Sequence, residues 1–183
     1  MAMISPSALP SLRHDGGLYR ELDVLERLQA SLPDEYEIFH GVNWHSVHEG
    51  QDRHGEIDIV VLGPSGNLLL MEIKAGQVAM RNGEIFKLYA HKELNVAAQL
   101  RIQYAAMINR LKQDGLHPVV SNCLVLPDYV LQSSPSIAFP RERIIDANDY
   151  DALGSWVVQI MRSDQPSCDQ VALRRFLCNE FCV

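Results

Sequence analysis

Leucines at positions 18, 22, 25, 28 and 32 recur at the spacing of one helical face. Asp15-Gly16-Gly17 stands before them and Pro33 just after, so the pattern predicts a helix bounded at both ends. Residues 36–42 read as a strand, and the polar stretch 45–55, rich in His, Asp, Glu and Gly, reads as a loop. Two β-prone apolar runs follow, residues 57–62 and 68–73, with Gly63-Pro64-Ser65-Gly66-Asn67 between them as turn chemistry. A second hairpin is expected from residues 77–80 and 85–89 around Asn82-Gly83. Beyond it the pattern predicts a helix over 95–113, a buried strand over 119–126 and two helices, 146–162 and 169–181. No internal repeat or low-complexity tract interrupts this order, which implies a mixed α/β domain.

At 183 residues, 47% hydrophobic and 21% charged, the chain has the length and composition of one globular domain. Residues 1–14 read as a flexible N-terminal arm, residues 15–162 as the domain proper, and residues 163–183 as a C-terminal helical segment leading towards a downstream domain. No apolar run approaches the roughly 20 residues needed to cross a bilayer. The start carries no basic leader with an apolar core, so a cytoplasmic protein is expected. Cys123, Cys168, Cys178 and Cys182 form no CxxC pair and read as reduced thiols. A net charge of -7 argues against passive coating of nucleic acid by a basic surface. It leaves room for an enzyme that approaches phosphates through a bound divalent cation.

Charged residues inside apolar strands are the unusual feature, because desolvating an unpaired charge costs several kcal/mol. Asp58 begins one run, while Glu72 and Lys74 end the other. If Leu62 opposes Leu68, Asp58 opposes Glu72, with Cβ atoms roughly 5 Å apart. Lys74, two residues on, shares the face of Glu72. Two such acids repel unless a cation lies between them. Magnesium takes a few carboxylates, a carbonyl and retained waters, and the Ile73 carbonyl is a candidate neutral ligand. A neighbouring lysine can orient the metal-bound water and steady developing phosphorane charge. Spacing alone leaves a second reading equally open, a salt-bridged strand end in which Lys74 neutralises Glu72. On the first helix Glu21 falls in the middle of the leucine stripe, Glu26 at its edge and Asp23 outside. An acid centred on a core-facing stripe calls for a partner or a metal.

The ordered set of Glu21-x-x-Val24, Gly55-Glu56-Ile57-Asp58-Ile59-Val60, Glu72-Ile73-Lys74-Ala75-Gly76 and Gln99 resembles the NERD (nuclease-related) domain. That family belongs to the PD-(D/E)xK nuclease superfamily, and the similarity covers about residues 17–130. The resemblance implies a restriction-endonuclease-like core, a mixed central β-sheet flanked by helices. It implies that Glu21, Asp58 and Glu72 ligate a divalent metal, Mg2+ or Mn2+, that Lys74 is the catalytic lysine, and that Gln99 is presented from the following helix. One departure is Val96 after Asn95, where family members commonly have Asn-Pro. A helicase or kinase often sits beside such domains.

No strongly basic groove is visible, so grip on nucleic acid is assigned to scattered residues such as Arg101, Lys87, Lys92 and Arg110. His40, His45, His48 and His54 fit no common zinc spacing. Gln103 shares the helical face of Gln99 at i+4 and either lines a cleft or lies on the surface. Pro127-Asp128 follows the lysine rather than preceding it and is set apart from the motif. Trp44 and Trp156 read as packing residues. The expected function is a metal-dependent nuclease hydrolysing phosphodiester bonds in DNA, with RNA left open, acting in DNA processing or repair beside a helicase. The alternatives are a catalytically silent nucleic-acid-binding or partner-docking module, and a structural domain with a buried ion-pair network.

Overall fold

Six consecutive buried residues, Leu68 to Ile73, make the central strand of a six-stranded mixed sheet, and their nearly continuous apolar character suits a strand covered on both faces. The computed structural model describes residues 1–6, 16–48, 51–132, 140–162 and 168–181. In chain order it contains β1 (Met3–Ser5), α1 (Gly16–Ser31), β2 (Glu37–His48), β3 (Gln51–Leu62) and β4 (Leu68–Ile73). There follow β5 (Val78–Arg81), β6 (Glu84–Leu88), β7 (Glu93–Asn95), α2 (Val96–Gln113), β8 (Val120–Val125), β9 (Ile144–Ile145), α3 (Leu153–Ile160) and α4 (Gln170–Phe181).

The main sheet runs β1-β2-β3-β4-β8-β9, antiparallel in the β2-β3-β4 meander and parallel where β1, β8 and β9 join it. Alternation along β4 divides the core. Leu69, Met71 and Ile73 pack with Val24, Leu25 and Leu28 of α1 and Val157 of α3. Leu68 and Leu70 pack with Met107 and Leu111 of α2 and Leu173, Phe176 and Leu177 of α4. The result is a helix-sheet-helix sandwich, the mixed α/β core with flanking helices that the sequence leads one to expect.

Between β4 and α2 a separate three-stranded sheet, β5-β6-β7, turns through Asn82 and Gly83, both at positive φ, as a two-residue hairpin requires. Val78 and Ile85 of this sheet pack on Val96 and Leu100 of α2 and on Leu124 of β8. Asn95 caps α2, its side chain accepting from the Ala98 N–H at 3.0 Å, so a good N-cap stands where the family commonly has Asn-Pro.

Several expectations change. Part of the N-terminal arm is a strand, with Met3–Ser5 paired to residues 37–39; residues 7–15 lie outside the described residues. The polar stretch 45–55 continues the β2-β3 ladder through His45–His54 and His48–Gln51, because paired backbone groups make a ladder even where side chains are polar. Residues 49 and 50 lie outside the described residues. The helix predicted from residue 146 begins at Leu153, since the buried Asp146 carboxylate instead accepts from Asn148 N–H and Leu131 N–H in a turn. Helix α4 buries Leu173, Phe176 and Leu177 against the sheet, so it shares a core with the domain.

One irregularity shapes the hairpin end of the sheet. Ile59 packs on the α1 side, yet Ile57, two residues away, packs on the α2 side. The pair between them, Gly41 and Asp58, drops out of the ladder while the register stays the same on either side. Gly41 has φ +64°, which lets β2 twist there. Alanine at this position would find ordinary contact distances, the nearest being Glu56 Oε1 at 3.4 Å, so its cost is backbone strain. We expect Gly41→Ala to lose about 1–2 kcal/mol in urea unfolding; an unchanged midpoint would show that the twist does not depend on this glycine.

Candidate active site

Glu72 is 1% exposed, and each oxygen of its carboxylate has a donor. Oε1 accepts from the Lys74 ammonium and from Gln99 Nε2 at 2.6 Å; Oε2 accepts from Gln103 Nε2 at 2.7 Å. Gln103 also donates to the Glu56 carbonyl at 3.0 Å, tying α2 to β3. Gln99 and Gln103 are one helical turn apart and reach the strand from the same face of α2. Lys74 is itself buried. Burial pulls its pKa down, but the charge and hydrogen bond of Glu72 outweigh that, so the pKa ends above the ordinary value and the ammonium keeps its proton.

Asp58 has a different environment. The β3-β4 ladder pairs Leu62 with Leu68 through Ile59 with Met71 and stops one pair short of Asp58 and Glu72. There the Asp58 carboxylate takes over, with Oδ2 accepting from the Ile73 N–H at 2.7 Å. Its pKa is pushed well above the usual carboxylate range, chiefly by burial and then by the charge of Glu72, with a smaller push from Glu21. The Ile73 hydrogen bond and Lys74 oppose the shift without cancelling it.

These residues open onto a cleft of about 540 Å³ lined by Arg20, Glu21, Asp58, Ile73, Lys74 and Lys87, with Ala75, Gly76, Tyr89 and Asp128 completing its wall. Glu21 therefore reaches the cleft from α1, while Glu26 is exposed. Glu72 lies behind Lys74 and is not part of the wall. Gln99 lines a neighbouring, mostly apolar groove with Trp44, His54, Leu94 and Ile102. In that groove the Trp44 ring lies against the backbone of Gly55, where a Cβ would come within 2.8 Å of it. Of the scattered cations, Lys87 reaches the cleft, while Arg101 and Lys92 are exposed elsewhere. His40 bonds the Pro6 carbonyl at 3.1 Å.

Sequence reasoning does not name Arg20, and it names Asp128 only to set it apart from the motif. They form an ion pair at the cleft wall, and Asp128 Oδ2 also accepts from Gly76 N–H at 2.8 Å. The signal for Arg20 was its place beside Glu21; Asp128 had none, since its partners are distant in sequence.

The family-implied divalent metal can be tested against this donor set. Among the described residues no three Asp, Glu, His or Cys side chains form a ready-made cage. Glu21, Asp58 and the Ile73 carbonyl are hard oxygen donors of the kind magnesium takes while retaining waters. The upward push of Glu72 and Glu21 on Asp58 marks a site short of positive charge. The residues fit such an ion.

A mixed sheet between helix layers, with a lysine and two carboxylates at the end of its central hairpin, is the architecture of a nuclease-like core. The Nuclease-related domain (NERD) family model matches residues 16–127, and the chain belongs to that family. No curated protein and no solved structure matches it. Among the described residues no helix is long and apolar enough to cross a membrane.

The raised pKa of Asp58 has a consequence for stability. A folded-state carboxyl that holds its proton more tightly than the unfolded one stabilises fully below the ordinary carboxylate range. That contribution is lost as pH rises through the raised value. Asp58→Asn removes the charge and keeps an acceptor for Ile73. In chelator it should be more stable than wild type at neutral pH, in the roughly 0.5–2 kcal/mol range seen when functional sites are relaxed. Its stability should also fall less between mildly acidic and neutral pH. Wild type and variant with superimposable stability-pH curves would refute the strained carboxylate.

Proposed function

We propose that the cleft hydrolyses phosphodiester bonds in nucleic acid, DNA in the first instance, with Mg2+ or Mn2+ as cofactor. The observation that carries this reading is the meeting of Glu21, Asp58, Ile73 and Lys74 on one cleft in a nuclease-related domain. Glu21, Asp58 and the Ile73 carbonyl would hold the ion. The family resemblance also names Glu72 as a ligand; off the cleft wall and with donors on both oxygens, it acts here by anchoring Lys74. Such an ion would supply Lewis-acid chemistry there, activation of water and electrophilic pull on the phosphoryl group.

The chain's own residues supply the rest. Lys74, protonated and anchored by Glu72, offers a fixed positive charge to the attacking water and to the oxygens that gain charge in the transition state. Because it keeps its proton it acts as an electrostatic group rather than as a base. Gln99 and Gln103 hold Glu72 and so hold Lys74 in place. DNA processing or repair beside a helicase is the setting the family resemblance implies.

A second reading has an observation of its own. The three donors on Glu72 would equally satisfy a buried ion pair in a catalytically silent module. Cutting assays separate the two. Labelled single-stranded, duplex and flapped DNA are incubated with and without Mg2+ or Mn2+, beside Lys74→Ala. We expect metal-dependent cutting that falls roughly 10²–10³-fold in the variant, the scale of one electrostatic contact. Wild-type binding without cutting on every substrate and metal would favour the silent module, and cutting unchanged in Lys74→Ala would remove this site from the chemistry.

A further inference from the structure

We propose that the cleft takes unpaired, single-stranded nucleic acid, with a base stacked on Tyr89 and the adjoining phosphates met by Lys87 and Arg20. The inference rests on the phosphodiester reading and names the form of strand that the site accepts.

Tyr89 follows β6 and is 52% exposed, yet it stands on the wall of the cleft that Asp58, Ile73 and Lys74 line. Its backbone is not loose. Its N–H donates to the Lys92 carbonyl at 2.9 Å, closing the turn into β7. The Lys87 ammonium lies 5.7 Å from the ring centroid, so a cation and an aromatic face are offered side by side. Helix α1 repeats the combination. Arg20 lies on the cleft wall with its guanidinium carbon 5.9 Å from the ring of Tyr19, which is 58% exposed.

Both cations are held by neighbouring groups. Arg20 is paired with Asp128, which is itself held by Gly76 N–H. Lys87 donates to the Ala75 carbonyl and, at 3.3 Å, to that of Gln77, which uses two of its three ammonium protons. Burial and the nearby charge of Lys74 both depress the Lys87 pKa, against a smaller opposing effect of Asp128. An arriving phosphate would offset the repulsion from Lys74.

Positive charge interleaved with aromatic faces is how proteins hold single strands without reading sequence. In a duplex the base faces are already stacked on one another, so Tyr89 gains nothing from it. The charge balance points the same way. A net charge of -7 gives the many phosphates of a duplex no general attraction. A few local cations and stacking are the grip available.

The test is binding without cutting. Fluorescence anisotropy of the full chain in EDTA compares labelled oligothymidylate with a duplex of equal length. We expect tighter binding of the single strand, weakened roughly 5- to 150-fold by Tyr89→Ala, the range of one lost base–aromatic stack, and retained by Tyr89→Phe. Lys87→Gln should lower the salt slope by about one phosphate contact. Equal affinity for strand and duplex, or Tyr89→Ala binding like wild type, as it would if Tyr89 served a protein partner, would overturn the proposal. Because no metal is present, this outcome leaves the nuclease reading standing. Tyr89-dependent strand binding beside a complete lack of cutting would instead sink that reading alone.

Discussion

A carboxylate on the central strand of a sheet covered on both faces must be surrounded by donors, and the way Glu72 meets that demand organises the molecule around the cleft. An unpaired charge there would cost several kcal/mol. Lys74 supplies one donor from two residues along the same strand, and Gln99 and Gln103 supply the others from α2. Those bonds fix which face of α2 turns to the sheet. They also fix where its N-terminus lies, since Asn95 caps the helix immediately after β7. The small sheet that links β4 to α2 is thereby held beside the hairpin end, where it contributes Lys87 and Tyr89 to the wall.

The two acids of the hairpin are treated oppositely. Glu72 has three donors, one of them a cation; Asp58 has one backbone N–H and the charge of Lys74, which do not offset its burial and the repulsion of two neighbouring acids. The difference follows from the twist at Gly41, where the pair with Asp58 leaves the ladder and the faces of β2 and β3 change over. A fold optimised for stability alone would not keep a carboxyl in such a place. Positions that break a local rule without compensation are where function is expected.

Much of this is legible in the residues. The leucine stripe marks α1, the turn at residues 63–67 sets the hairpin register, and Asn82-Gly83 announces the second hairpin, because each signal is local. Charged residues in apolar strands point to the cleft for the same reason. What escapes depends on distant partners. The Arg20–Asp128 pair joins residues 108 apart, and the exposed Tyr89 acquires meaning only from the cleft beside it. The strand character of residues 45–48 and 51–55 is hidden because a run of polar residues carries no apolar alternation to mark it. Asp146 looks like a helix start in sequence because its turn uses contacts from residues 131 and 141.

Asp58 and Glu21, rather than acids in general, are proposed to make the cleft a seat for a divalent cation. Calorimetric titration of Mn2+ into wild type, Asp58→Ala, Glu21→Gln and Glu26→Gln tests it directly. Glu26 belongs to the same helix but is exposed away from the cleft wall, so it controls for charge alone. Binding should weaken strongly in the Asp58 and Glu21 variants and match wild type in the Glu26 variant. Four superimposable isotherms would contradict it.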